Sequence, residues 1–167
     1  DIYNKWGITE AVHIKDNMDG IDKTLNYMKK NKSGIIFTNL VDFDMLYGHR
    51  NDIEGYAKAI VEADKRIPEI ISYMYREDVL MITADHGCDP TTESTDHSRE
   101  YIPVLVYGKN LRAGVDVGIR GSYSDIGKTI LDFLDIKNDL YGISFKELIK
   151  NNWETQKSFK HLFRIFQ

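Results

Sequence analysis

Apolar and polar positions along the chain fall into two alternating periods. Ile21, Leu25 and Met28 recur at i, i+4 and i+7 within an otherwise polar stretch, which predicts a helix over 16–32. Asp16, Asp19 and Asp22 lie near its start and Lys29-Lys30 near its end, matching the poles of a helix dipole, and Gly34 is a stop. GIIFTNLV (34–41) then gives a continuous apolar, β-rich run, fit for a strand buried on both faces. Helical spacing returns over 51–75 through Ile53, Ala57, Ile60, Val61, Ile67, Ile71 and Met74. Asn51 and Glu54 form a capping-box variant there, and Pro68 is placed to kink or split the helix. VLMIT (79–83) and IPVLVYG (102–108) read as two more buried strands, and VDVGIRG (115–121) as strand or turn. A helix follows from Ser124 to Leu134, and SFKELIKN (144–151) reads as another, capped by Ser144 and Glu147.

Strands alternating with helices predict an α/β fold, a mostly parallel sheet with helices on both faces and right-handed crossovers. That core is expected over 1–150. The tail NNWETQKSFKHLFRIFQ (151–167) sets Phe159, Leu162, Phe163 and Phe166 at i, i+3, i+4 and i+7, with Lys157, Lys160 and Arg164 on other faces. It predicts an amphipathic helix docked on the core, with another chain or a membrane surface as the less favoured destination.

Composition narrows the class. With 167 residues, 42% apolar and 29% charged, the chain is long enough to bury a core. A net charge of −4 argues against a nucleic-acid binder, which needs a concentrated basic face. No apolar run approaches a membrane span and no signal peptide opens the chain, so no membrane partner is expected. The single Cys88 excludes an internal disulfide and suits a reducing, cytoplasmic setting. The chain opens at Asp1 without an initiator Met, as a fragment or a processed product would.

The candidate chemistry follows from topology. Strand 34–41 runs into DFDMLYGHRND, and strand 79–83 runs into ADHGCDP. Ligands of such sheets collect beyond the carboxyl ends of the strands. Parallel strands therefore bring Asp42, Asp44, His49, Asp85 and His86 to one rim, and His97 returns across the TTEST loop. Carboxylate oxygen mixed with imidazole nitrogen suits Mn²⁺, Zn²⁺ or Fe²⁺ better than Ca²⁺. The donor number fits two metals about 3.5–4 Å apart, as used in phosphoryl transfer. The competing reading is an ordinary polar loop, since Asp and Gly are turn formers. On either reading Asp42 can brace the loop, Asp89 and Asp96 are surface or supporting groups, and His13 and His161 carry no role.

VDFDMLYGHRND followed by TADHGCDPTTESTDHSREYIPVLVYG resembles the phosphopentomutase family of alkaline-phosphatase-like metalloenzymes, as do NMDGIDKT (17–24) and GSYSDIGKTILDFL (121–134). The likeness covers about residues 8–148, and the pairing of DFDxxYGH with TADHG…DH is its specific part. The resemblance implies a partial alkaline-phosphatase-like core. It implies that Asp44, His49 and His97 hold one manganese ion and Asp85 and His86 the other. It also places a further Asp ligand and the nucleophilic Thr in a segment outside this chain. The implied reaction, with a pentose phosphate as substrate, interconverts ribose 1-phosphate and ribose 5-phosphate, or the deoxy forms. Two other classes stand beside it: another phospho-transfer enzyme of the superfamily, such as a phosphoglycerate mutase or phosphatase, and a non-catalytic remnant that binds metal or a partner. An incomplete core also leaves a sheet edge or the C-terminal helix open to self-association.

Overall fold

The computed structural model describes residues 6–30, 33–151 and 163–166, with the backbone alone described over the last four. Helix α1 spans Asn17–Lys29. Asp16 caps it by accepting from the Asp19 amide at 2.7 Å, and Ile21, Leu25 and Met28 are all buried. Strand β1 follows at Ile35–Thr38 and is shorter and more open than expected, with Ile35 exposed. Helix α2 spans Ile53–Ser72 and runs unbroken through Pro68. Pro68 forfeits a ladder bond, but Ile67, Ile70 and Ile71 around it all pack on the core, which offsets that loss. The expected cap at Asn51 is not found. Asn51 sits in the left-handed region at φ 51°, and Asp52 caps by accepting from the Gly55 amide at 2.9 Å.

Strand β2 (Val79–Ile82) is the buried centre, and β3 is Leu105–Tyr107. Residues 115–121 form no strand; among them Gly118 turns the chain at φ 68°. Helix α3 spans Ser124–Phe133 and the single turn α4 Lys146–Ile149. The predicted Ser144/Glu147 capping box is absent: Phe145 occupies the cap position, and the Ser144 hydroxyl accepts from the Lys146 amide at 3.3 Å. Strand β4 is Phe163–Phe166. These four residues were expected in a helix and are extended instead; Phe159 and Leu162 of the same pattern lie outside the described residues. Ladder bonds from two neighbouring strands outweigh a helical period carried by so few residues.

The sheet order is β1-β4-β2-β3. Strand β4 runs parallel to both β1 and β2, and Phe166 pairs with Thr38 on one side and Ile82 on the other. The carboxyl ends of β1 and β2 therefore share a rim, with β4 between them. Strand β3 runs antiparallel to β2. No helix separates β2 from β3, and a parallel return needs a crossover that the intervening loop does not supply. Alternation along β2 divides its side chains. Leu80 joins a cluster with Ile21, Leu25, Met28 and Ile70 of α1 and α2. Val79 and Met81 join a second cluster with Ile130, Phe133, Phe145 and Ile149 around α3 and α4.

Candidate metal centre

The loop leaving β1 tightens into a π-helical turn at Phe43–Tyr47 and a 3-10 turn at Gly48–Arg50, which carry Asp44 and His49. Its base is fixed to α1 by a reciprocal pair: Asn17 N–H donates to the Asp42 carboxylate at 2.7 Å, and Asp42 N–H donates to Asn17 Oδ1 at 3.0 Å. Asp42 thus braces the loop and points its carboxylate at a helix start.

Two glycines let the loops meet. A Cβ on Gly48 would stand 2.6 Å from Cys88 Sγ, so the missing side chain at position 48 lets the first loop approach the second with Cys88 in its present position. A Cβ on Gly87 would stand 2.6 Å from the Ser98 carbonyl oxygen. There the strand-like bridge Gly87–Ser98, with Ser98 N–H donating to Gly87 O at 3.1 Å, folds the TTEST loop back on itself. That fold-back delivers His97.

Each imidazole has its orientation set. His49 Nδ1 lies 2.6 Å from the Thr95 carbonyl, so it carries the proton and donates. Its Nε2 then faces Asp44 Oδ2 at 3.3 Å. His86 Nδ1 lies 3.0 Å from the Gly87 carbonyl, leaving Nε2 at 3.9 Å from Asp44 Oδ1 and 3.5 Å from Asp85 Oδ1. His97 Nε2 stands 3.6 Å from Asp44 Oδ1, and its ring stacks on that of His86. All five predicted residues are therefore brought together. The tightest group is Asp44, His86 and His97, with one donor atom from each within 4.8 Å of the others.

The electrostatics of this arrangement call for a cation. Asp44 Oδ1 is buried and accepts no hydrogen bond. The Nε2 atoms of His86 and His97 face it at separations too long for hydrogen bonds. Such a cluster is unfavourable alone, because an unpaired buried carboxylate oxygen retains its full desolvation cost. Donors about 2.0–2.2 Å from one shared ion sit at comparable mutual separations, so the residues fit a divalent metal. Asp85 and His97 are half exposed, which opens the site to solvent on the rim side.

Other residues support the cluster without a sequence signal that singled them out. Asn51 Nδ2 donates to the Thr92 carbonyl at 2.9 Å and ties the TTEST loop to the Gly48–Arg50 turn. Tyr56 and Cys88 lie within interaction range of each other and of Asp44. Burial, and then the Cys88 partner, raises the Tyr56 hydroxyl, while burial and the Asp44 charge raise the Cys88 thiol. Three of the loop hydroxyls are engaged within the loop: Thr91 bonds Asp89, Thr92 reaches the Asp89 and Ser94 carbonyls, and Ser94 accepts from the Asp96 amide.

A family profile described as metalloenzyme superfamily matches residues 1–138, and the chain belongs to that superfamily, with its alkaline-phosphatase-like fold and divalent metal chemistry. Within it, the chain is 86% identical over 149 residues to a phosphopentomutase of Clostridium kluyveri, covering 89% of this chain and 38% of the relative. A phosphopentomutase of Clostridium acetobutylicum is 70% identical over the same shares. One of Acetivibrio thermocellus is 61% identical over 145 residues, 87% of this chain and 37% of the relative. The chain thus spans little more than a third of the length of the relatives it matches. Among the described residues, no helix is long and apolar enough to cross a membrane.

Proposed function

We propose that this chain is the metal-holding part of a phosphopentomutase, an isomerase that interconverts ribose 1-phosphate and ribose 5-phosphate or their deoxy forms. One observation carries the reading: the Nε2 atoms of His86 and His97 converge on the buried, unpartnered Oδ1 of Asp44 while His49 Nε2 faces its Oδ2, in a chain 86% identical to a phosphopentomutase.

In this reading Asp44, His49 and His97 hold one manganese ion, and Asp85 and His86 belong to a second. When bound, the two ions lower the pKa of a nucleophile and neutralise charge on the transferring phosphoryl group. The chain's own residues position. The Thr95 carbonyl fixes the His49 tautomer, the Gly87 carbonyl fixes that of His86, and the Gly87–Ser98 bridge holds His97 in reach. Half-exposed Asp85 lies on the open side, where a pentose phosphate would approach. The phosphoryl-carrying Thr and a further Asp ligand belong to a segment outside these residues. The hydroxyls of Thr91, Thr92 and Ser94 are engaged within their loop, and in this reading the TTEST segment does not supply the nucleophile. Residues 1–150 form the core part, its sheet covered by helices on both faces, and the protein works in the cytoplasm.

Isothermal titration with Mn²⁺ and a coupled ribose 5-phosphate assay test this together. The expected result is saturable Mn²⁺ binding, weakened by His49→Ala, with no turnover by the chain alone. Robust turnover would place the nucleophile within these residues and overturn the map. Absence of divalent binding would overturn the metal assignment.

A further inference from the structure

Strands β1 and β2 carry the two halves of the metal centre, yet they do not pair with each other. Each pairs with β4 over four residues, Ile35–Thr38 on one side and Val79–Ile82 on the other. Without β4, both inner edges would present unpaired N–H and C=O groups beside the buried residues Thr38, Leu80 and Met81. Buried ladder groups cannot be left unpaired cheaply, so the space between β1 and β2 must hold a strand. Both walls and β3 lie within the residues that match the superfamily profile, whereas β4 lies beyond them. The walls are the superfamily's; the filler is not part of the matched region.

The filler sequence is also a compromise. A strand with parallel neighbours on both sides favours a continuous apolar run, and FRIF places Arg164 in the middle of one. Such a strand seats less firmly than a wholly apolar one. Residues 152–162, which connect it to the core, can reach at most about 40 Å if fully extended, enough for an adjacent molecule. We propose that the space between β1 and β2 is an acceptor groove for a short parallel strand, and that it exchanges its own residues 163–166 for those of a second copy of this chain. The recognition is strand addition with main-chain bonds on both edges, and reciprocal exchange closes a two-fold dimer.

The test uses the full chain in two mass-tagged forms, mixed and followed by native mass spectrometry. Mixed dimers are expected, growing with protein concentration and lost in Ile165→Pro, because proline removes a ladder donor from the strand. A fluorescent peptide of residues 159–167 is expected to bind Ile165→Pro at least tenfold more tightly than the wild type, whose own strand competes. Arg164→Val is expected to bind that peptide more weakly than the wild type does. Absence of mixed dimers at every concentration overturns the proposal, as does equal peptide uptake by wild type and a folded Ile165→Pro. Should Ile165→Pro not fold, hydrogen exchange on the wild type decides. Amides of 35–38 and 79–82 must be protected and become more so with concentration, and concentration-independent exchange there overturns the idea.

Discussion

The rings of His86 and His97 stack with centroids 3.6 Å apart and planes 12° from parallel, although one follows β2 directly and the other returns from across a loop. Two imidazoles in contact cannot both be protonated without repulsion, whereas two neutral rings can ligate. Their Nε2 atoms lie 3.9 and 3.6 Å from the same Asp44 oxygen. A divalent ion that binds this cluster and not the unfolded chain stabilises the fold by mass action. At Mn²⁺ a hundredfold above its Kd, the melting temperature should rise by about 5 to 10 °C over the value in EDTA. His97→Ala should remove more than half of that rise. Differential scanning fluorimetry with and without Mn²⁺ checks it, and an undiminished rise in the variant would reject His97 as a ligand.

Gly87 meets the backbone of Ser98 and Glu100 so closely that a Cβ would sit 2.6 Å from one carbonyl oxygen and 2.8 Å from an amide nitrogen. Backbone on both sides cannot swing away like a side chain. Gly87→Ala should therefore open the bridge that delivers His97, destabilising the chain by about 1–3 kcal/mol. It should also weaken Mn²⁺ binding by roughly 10- to 100-fold, as loss of a positioning contact does. Gly121, with open space around its Cβ position, is the control, and Gly121→Ala should change stability by less than about 0.5 kcal/mol. Urea denaturation and Mn²⁺ titration of both variants distinguish a specific bridge from a general intolerance of alanine.

The helical parts of this fold were legible because their apolar residues recur over several turns. Ile21, Leu25 and Met28 face the core as their spacing required, and β2 is as buried as its unbroken apolar run implied. Capping was less legible, since Asn51 and Asp52 are both good cap residues and only the left-handed turn at Asn51 decides between them. The convergence of Asp44, His49, Asp85 and His86 was readable from one fact, that β1 and β2 end on the same rim. The strand between them was not, because the period of Phe159, Leu162, Phe163 and Phe166 is helical while the sheet needed a filler. Tertiary demand overrode local pattern there. The ties made by Asn51, Tyr56 and Cys88 were invisible, since each is an ordinary residue type whose role comes from a partner distant in sequence.

Asp19 offers a pH-dependent contribution whose sign is fixed by its partners. Lys23 Nζ donates to its carboxylate at 2.6 Å and the Lys15 amide donates at 2.8 Å, and together they hold the Asp19 pKa below its ordinary value. A depressed folded-state pKa gives stability that is present above the unfolded pKa of about 3.9, and that is lost as pH falls through the folded value. Asp19→Asn should therefore be less stable than wild type at pH 7, and the two should converge under acid. Urea midpoints at pH 7, 4 and 3 measure this. A gap that widens on acidification would contradict the assignment.

Arg120 and Asp125 form a largely buried ion pair, and they fasten α3 to the loops beside it. Asp125 is 2% exposed and accepts from Arg120 Nε at 2.9 Å and from the Ile143 amide at 2.8 Å. Arg120 also donates to the Val117 and Ile143 carbonyls, so its guanidinium ties three segments at once. Arg120→Met keeps much of the side-chain volume but strands a buried carboxylate on one amide. Breaking a buried pair from one side costs about 3–5 kcal/mol, more than the pair itself is worth. Arg120→Lys restores the charge without the fork and should recover only part of that loss, because an ammonium cannot hold the carboxylate and both carbonyls in the same geometry. Urea unfolding of the two variants orders them wild type, then Lys, then Met. A lysine variant as stable as wild type would show that charge alone suffices and that the fork contributes nothing.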